Sequence, residues 1–320
     1  MSPQPRLPVR ATRSALALVS LTLLVSACSS GLGADTPATD LPDSATTSAP
    51  VSVVASTDVY ADIVQTIGGN AVRVTSFIND PNRNPHDYPA DARNQLAVSR
   101  AQLVVENGGG YDDFVDTMLS ATTTKPTVVN VTALSGYNPK PTDGEFNEHL
   151  WYDLPTMVKL TSRLRTELAA LAPRSANTIA ANATDFTHKL QALQQTEARI
   201  KTEHAGDGVA ITEPLPIYLL AAVGLSNKTP EAFSQAIEEG DDVPPAAMQQ
   251  TLKLLDSGDV KLLAYDAQNA GPQPDAVLAA AKRNHIPVAS FTETLPAGDD
   301  YLSWMRTNIH AILVGLAASS

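Results

Sequence analysis

The sequence predicts an α/β protein of two lobes, each with a mainly parallel sheet flanked by helices, joined by one long rigid helix. Three observations lead there. From residue 51 short β-branched runs alternate with helical stretches, the pattern of parallel strands linked by crossover helices. A second series of such runs occupies the last third of the chain. Between the two lies one apolar stripe, Ile179, Ala183, Phe186, Leu190, Leu193 and Ile200, spaced 4, 3, 4, 3 and 7, which is one face of a helix.

In the first series, residues 51–55, 72–77, 103–105 and 128–131 read as strands, with helical patterns at 60–67 and 91–99 between them. Continuous apolar runs of this kind suit strands covered on both faces. The connecting helix is assigned to 173–205: Pro173 is tolerated at a first turn, and Gly206 and Gly208 lie beyond the end. Some thirty residues at 1.5 Å per residue make a rod of roughly 45 Å. In the second series, residues 209–212, 261–265 and 288–291 read as strands. The lobes are therefore bounded at 51–172 and 206–320.

The 320 residues are 43% hydrophobic and 18% charged, the composition of a globular protein. Single cores stop growing beyond roughly 250–300 residues, which also favours two lobes. Removing residues 1–27, with three arginines and no acid, takes the formal net charge from −12 to −15. Such a polyanion is a poor nucleic-acid ligand. One cysteine excludes a disulfide framework and any cysteine-rich zinc or iron–sulfur site.

Residues 1–27 read as a signal peptide. Arg6, Arg10 and Arg13 precede an apolar run, residues 15–25, that is too short to span a bilayer. Val25-Ser26-Ala27-Cys28 resembles the bacterial lipobox, which implies a lipid-modified Cys28 at the start of the mature chain. Residues 28–50, rich in Ser, Thr, Ala, Asp and Pro, form a tether with too few apolar groups to fold. The expected location is extracytoplasmic, anchored to the cell membrane by that lipid.

Among six histidines, His188, His204, His285 and His310 have unremarkable surroundings. His86 lies in a loop restricted by three prolines directly after a strand, and His149 ends a polar loop before a helix. Glu213 and Glu293 each follow a strand of the second lobe, where the crevice of an open α/β sheet lies. The competing role for each carboxylate is to cap a helix N-terminus. Gly108-Gly109-Gly110 lacks the spacing of a phosphate-binding loop and reads as a tight turn, and Trp151 and Trp304 read as packing residues.

Across nearly all of residues 51–320 the chain resembles the zinc- and manganese-binding lipoproteins of bacterial ABC importers. Val53-Val54-Ala55-Ser56 with Ala61-Asp62-Ile63 resembles the family's opening strand and helix. Asn84-Pro85-His86-Asp87-Tyr88 resembles its first ligand loop, and Glu148-His149-Leu150-Trp151 its second. Phe291-Thr292-Glu293-Thr294 and Tyr301-Leu302-Ser303-Trp304-Met305 resemble its closing ligand strand and terminal helix. The resemblance implies metal ligands at His86, His149, Glu213 and Glu293, with Asp266 as runner-up for the fourth position or a partner behind it. It also implies a membrane permease as partner, and the expected state is a monomer. Glutamate at 213 follows the manganese-type pattern, whereas Glu293 is one methylene longer than the usual aspartate. Two neutral imidazoles and two carboxylates offset a divalent charge and suit Zn or Mn, leaving the two open. The rivals are a secreted metallo-hydrolase, for which no general-base motif is present, and a surface adhesin or scaffold.

Overall fold

The computed structural model describes residues 49–80, 88–142 and 144–319. The signal peptide, Cys28 and nearly all of the tether lie outside the described residues, as does His86. The first half runs β1 (Val51–Thr57), α1 (Asp58–Gly68), β2 (Val72–Ile78), α2 (Ala92–Arg100), β3 (Leu103–Glu106), α3 (Asp113–Ser120), β4 (Thr127–Asn130) and α4 (Val131–Ser135). A 3-10 turn, Leu150–Tyr152, leads into α5 (Leu154–Leu171), and another, Pro173–Ser175, precedes α6 (Ala176–His204). The second half runs β5 (Gly208–Ile211), α7 (Ile217–Ala222), β6 (Ser226–Asn227), α8 (Glu231–Glu238) and α9 (Pro245–Asp256). It ends with β7 (Leu262–Asp266), α10 (Pro272–Arg283), β8 (Val288–Phe291) and α11 (Tyr301–Ala318).

The strands form two four-stranded sheets of one topology, β2-β1-β3-β4 and β6-β5-β7-β8, with every pairing parallel. The α/β class, the parallel sheets and the long helix are thus as the sequence predicts. The fourth strand of the second sheet is not legible in advance, because β6 is two polar residues at an edge, Ser226 and Asn227. Central strands β1, β3, β5 and β7 are buried on both faces, as Val-, Leu- and Ala-rich runs require.

Helix α6 is 29 residues long, roughly 44 Å at 1.5 Å per residue. It starts three residues later than expected, since Pro173–Ser175 wind first as a 3-10 turn closed by Ser175 N–H to Ala172 C=O. Every member of the apolar stripe is buried, and Glu197, in the gap between Leu193 and Ile200, completes that face. α6 packs against α1 and α5 of the first half and against α7 and α11 of the second. One apolar core consequently runs from β1 through α6 to α11. Helix α11 returns to the first half: its Tyr301 N–H donates to Asp62 at 2.9 Å, and its Tyr301 hydroxyl to the Trp151 carbonyl at 2.7 Å. Among the described residues no helix is long and apolar enough to cross a membrane.

Candidate metal centre

Strand order reverses between β1 and β3 in one sheet and between β5 and β7 in the other. Ligands of open α/β sheets bind at such points, outside the carboxyl ends of the strands. In the second half the reversal is flanked by Glu213, two residues past β5, and by Asp266, the last residue of β7. The Asp266 N–H donates to Thr212 Oγ1 at 2.9 Å, stitching the two strand ends together.

In the first half the equivalent point is occupied by Asn107, just past β3. It accepts the hydroxyl of Tyr60, and its Nδ2 donates to the Glu148 carbonyl at 3.0 Å. That bond seats the His149 loop over the crevice. The neighbouring Gly108, Gly109 and Gly110 have φ of 72°, 74° and 108°, so the triplet is a tight turn. The Asp112 carboxylate accepts the Asn107 and Gly108 N–H groups at 2.6 and 2.7 Å, which fills the position a phosphate would need.

His149 is 1% exposed, walled by Trp151 and Tyr111 with ring centroids 5.1 and 6.4 Å away. Asn147 Oδ1 accepts both the backbone N–H of His149 and its Nδ1, each at 2.9 Å. A backbone N–H can only donate, so that end of Asn147 is the oxygen and the imidazole carries its hydrogen on Nδ1. Nε2, the other ring nitrogen, faces the second half of the chain. It points at carboxylates from the other half: Glu238 Oε1 at 3.6 Å and Glu293 Oε1 at 3.8 Å. Asn147 Nδ2 also crosses between the halves to the Pro214 carbonyl at 2.7 Å, next to Glu213.

Side chains following β7 hold the Glu213 carboxylate and the Glu293 backbone. Asn269 Nδ2 donates to Glu213, and Gln268 Oε1 accepts the backbone N–H of Glu293 at 2.5 Å. Asp266 accepts the Gln268 N–H at 2.8 Å and shares a hydrogen bond with Glu213. Neither Glu213 nor Glu293 caps a helix: the residues preceding α7 and α11 are Pro216 and Asp300. Burial, then the charges of Asp266 and Glu293, push Glu213 well above the usual carboxylate range, and burial raises Asp266 as well. Carboxylates crowded out of water in this way are stabilised as anions by a cation placed among them.

His149, Glu293, Glu213 and Asp266 therefore meet in one crevice, with His86 outside the described residues. Among the described residues, no group of three or more His, Cys, Asp or Glu side chains stands in a metal-holding arrangement. His188, His285 and His310 are solvent-exposed and His204 pairs with Asp207 at 3.0 Å. Trp151 and Trp304 are buried packing residues. Asn147, Glu238, Gln268 and Asn269 carry no motif that marks them. The position of Gln268 and Asn269 directly after β7, at the strand-order reversal, is the one signal that singles out two of them.

Residues 53–315 match the family model of ZnuA, zinc-uptake complex component A, periplasmic. The manganese ABC transporter substrate-binding lipoprotein PsaA of Streptococcus anginosus is 25% identical over 85% of this chain and 91% of its own length. The metal ABC transporter substrate-binding lipoprotein SloC of Streptococcus mutans is 26% identical over 95% of this chain and 98% of its own. Among solved structures, the periplasmic zinc binding protein TroA of Treponema pallidum aligns with a TM-score of 0.69 at 18% identity, covering 84% of this chain and 99% of that one. A manganese-bound S38A mutant of a periplasmic metal binding protein from Candidatus Liberibacter asiaticus gives 0.67 at 20% identity, covering 82% and 98%. The family match spans the bulk of the described chain and both halves of the crevice. The chain belongs to the ZnuA family: extracytoplasmic, non-enzymatic, metal-binding substrate-binding components of ABC importers.

Proposed function

We propose that this chain captures one Mn(II) or Zn(II) ion with His86, His149, Glu213 and Glu293 and delivers it to the permease of its importer. Lipidated Cys28 would hold the tethered body, with residues 51–172 and 206–320 as its two lobes, at the outer face of the cell membrane. The observation that carries this reading is the buried His149 imidazole, with its Nε2 aimed at Glu293 across the boundary between the halves. Nitrogen and oxygen donors in that mixture suit a divalent transition metal rather than Ca or Mg. Because the ligands come from both halves, binding draws the halves together. A stiff helix shared by one continuous core favours small tilts and loop movements over a wide hinge.

Elemental analysis of protein purified without chelators tests the assignment, repeated on His86→Ala, His149→Ala and Glu213→Ala. About one metal per chain is expected in the unaltered protein, with loss in each variant. Equal metal content throughout removes the proposed ligand set.

A further inference from the structure

We infer that Glu238 is a specificity-determining donor of this site, biasing it toward Mn(II) over Zn(II). The inference rests on the metal-capture reading above and adds a residue that reading does not contain. Glu238 is the last residue of α8, and its Oε1 stands closer to His149 Nε2 than Glu293 does, 3.6 against 3.8 Å. Its side chain is only 13% exposed.

Two independent ties hold that helix end at the crevice. Asn269 Nδ2, which donates to Glu213, also donates to the carbonyl of Ile237 at 3.1 Å, so one amide fixes a proposed ligand and the residue beside Glu238. On another face of α8, Gln235 Nε2 donates to Glu145 in the loop that leads to His149. Phe233 and Ile237 bury the apolar side of the helix. Glu238 is thus positioned by packing and by hydrogen bonds that also serve the metal centre.

Glu238 and Glu293 approach the same imidazole nitrogen, so an ion held there meets both carboxylates. With Glu238 the donor set becomes two imidazoles and three carboxylates. Zn(II) is satisfied by four ligands in a tetrahedron, so a fifth oxygen brings it little. Mn(II) favours carboxylate-rich, higher-coordinate sites and gains from it.

The test is competition of Mn(II) and of Zn(II) against a chelating dye, on the full folded domain and on Glu238→Gln and Glu238→Ala. Asp242→Asn, an exposed acid a few residues on, serves as control. Mn(II) affinity is expected to fall about 10-fold or more in both Glu238 variants, with Zn(II) affinity within about 3-fold of the unaltered protein. The Mn(II) electron paramagnetic resonance spectrum is expected to change with the variant. An unchanged Mn-to-Zn affinity ratio, whether both metals bind as before or both weaken together, overturns the role of Glu238 and leaves metal capture standing. Failure of the unaltered protein to bind either metal overturns both.

Discussion

Among single residues, Asn147 sets the chemistry of His149 more directly than any ligand does. Its Oδ1 fixes the hydrogen on Nδ1, and its Nδ2 ties the loop to Pro214 in the other half. Tyr218 in turn donates its hydroxyl to the Asn147 carbonyl at 2.6 Å. Outer partners of a metal-bound imidazole typically govern 10–100-fold in affinity. Asn147→Ala is therefore expected to weaken metal binding by about that factor and, because it also loses the bond to Pro214, to lower the thermal midpoint of the metal-free protein modestly. Dye competition and a melting curve check the two halves of this statement. Undiminished affinity would show that the imidazole needs no such support. Asn147 stands two residues before His149, yet nothing in its spacing distinguishes it from other loop asparagines; its role exists only once the loop folds back on itself.

At the scale of an element, α6 joins the halves through one buried face, and one residue on that face does not match it. Glu197 is 4% exposed, its Oε1 has no hydrogen-bond partner, and burial, then Asp153, pushes its pKa up to about 8. Tyr301 of α11 lies against it. Between its ordinary value of 4.5 and about 8 the folded chain holds this proton more tightly than the unfolded chain. Stability contributed here is thus present below that window and lost as pH rises through it. Glu197→Gln removes the titration, so it should stabilise the metal-free protein at pH 8 by roughly 1–3 kcal/mol more than at pH 5. Denaturant unfolding at both values decides it, and an identical increment at each pH refutes the assignment. The stripe at 179, 183, 186, 190, 193 and 200 identifies the helix in the sequence. That position 197 turns inward as well follows from the helix being packed on both sides rather than one.

For the whole molecule, acid groups dominate. Glu106 rises to about 7 and Asp58 to about 6, chiefly through burial, and Glu213 and Asp266 are raised too. A metal can bind the crevice carboxylates only as anions, so binding must expel the protons they hold. Calorimetry in buffers of different ionisation enthalpy is expected to show net proton release on binding, and affinity should fall as pH drops. Heats independent of the buffer would show that the carboxylates are already ionised in the metal-free state.

The alternation of β-branched runs and the helical stripe fixed the α/β class, the parallel sheets and the long helix, because those depend on local periodicity. Glu213 and Glu293 were legible as candidates because each follows a strand end that the periodicity locates, whereas His149 stood out at a loop-to-helix junction and through its resemblance to a family ligand loop. What the sequence could not supply is the company they keep. That Glu213 shares a hydrogen bond with Asp266, that Gln268 and Asn269 brace Glu293 and Glu213, and that Glu238 reaches His149 are contacts between residues tens to nearly ninety positions apart. Most of these contacts arise where β5, β7 and β8 end side by side in the second sheet, and the one to His149 crosses between the halves. Local propensity carries no information about that juxtaposition; the shared core around α6 decides it.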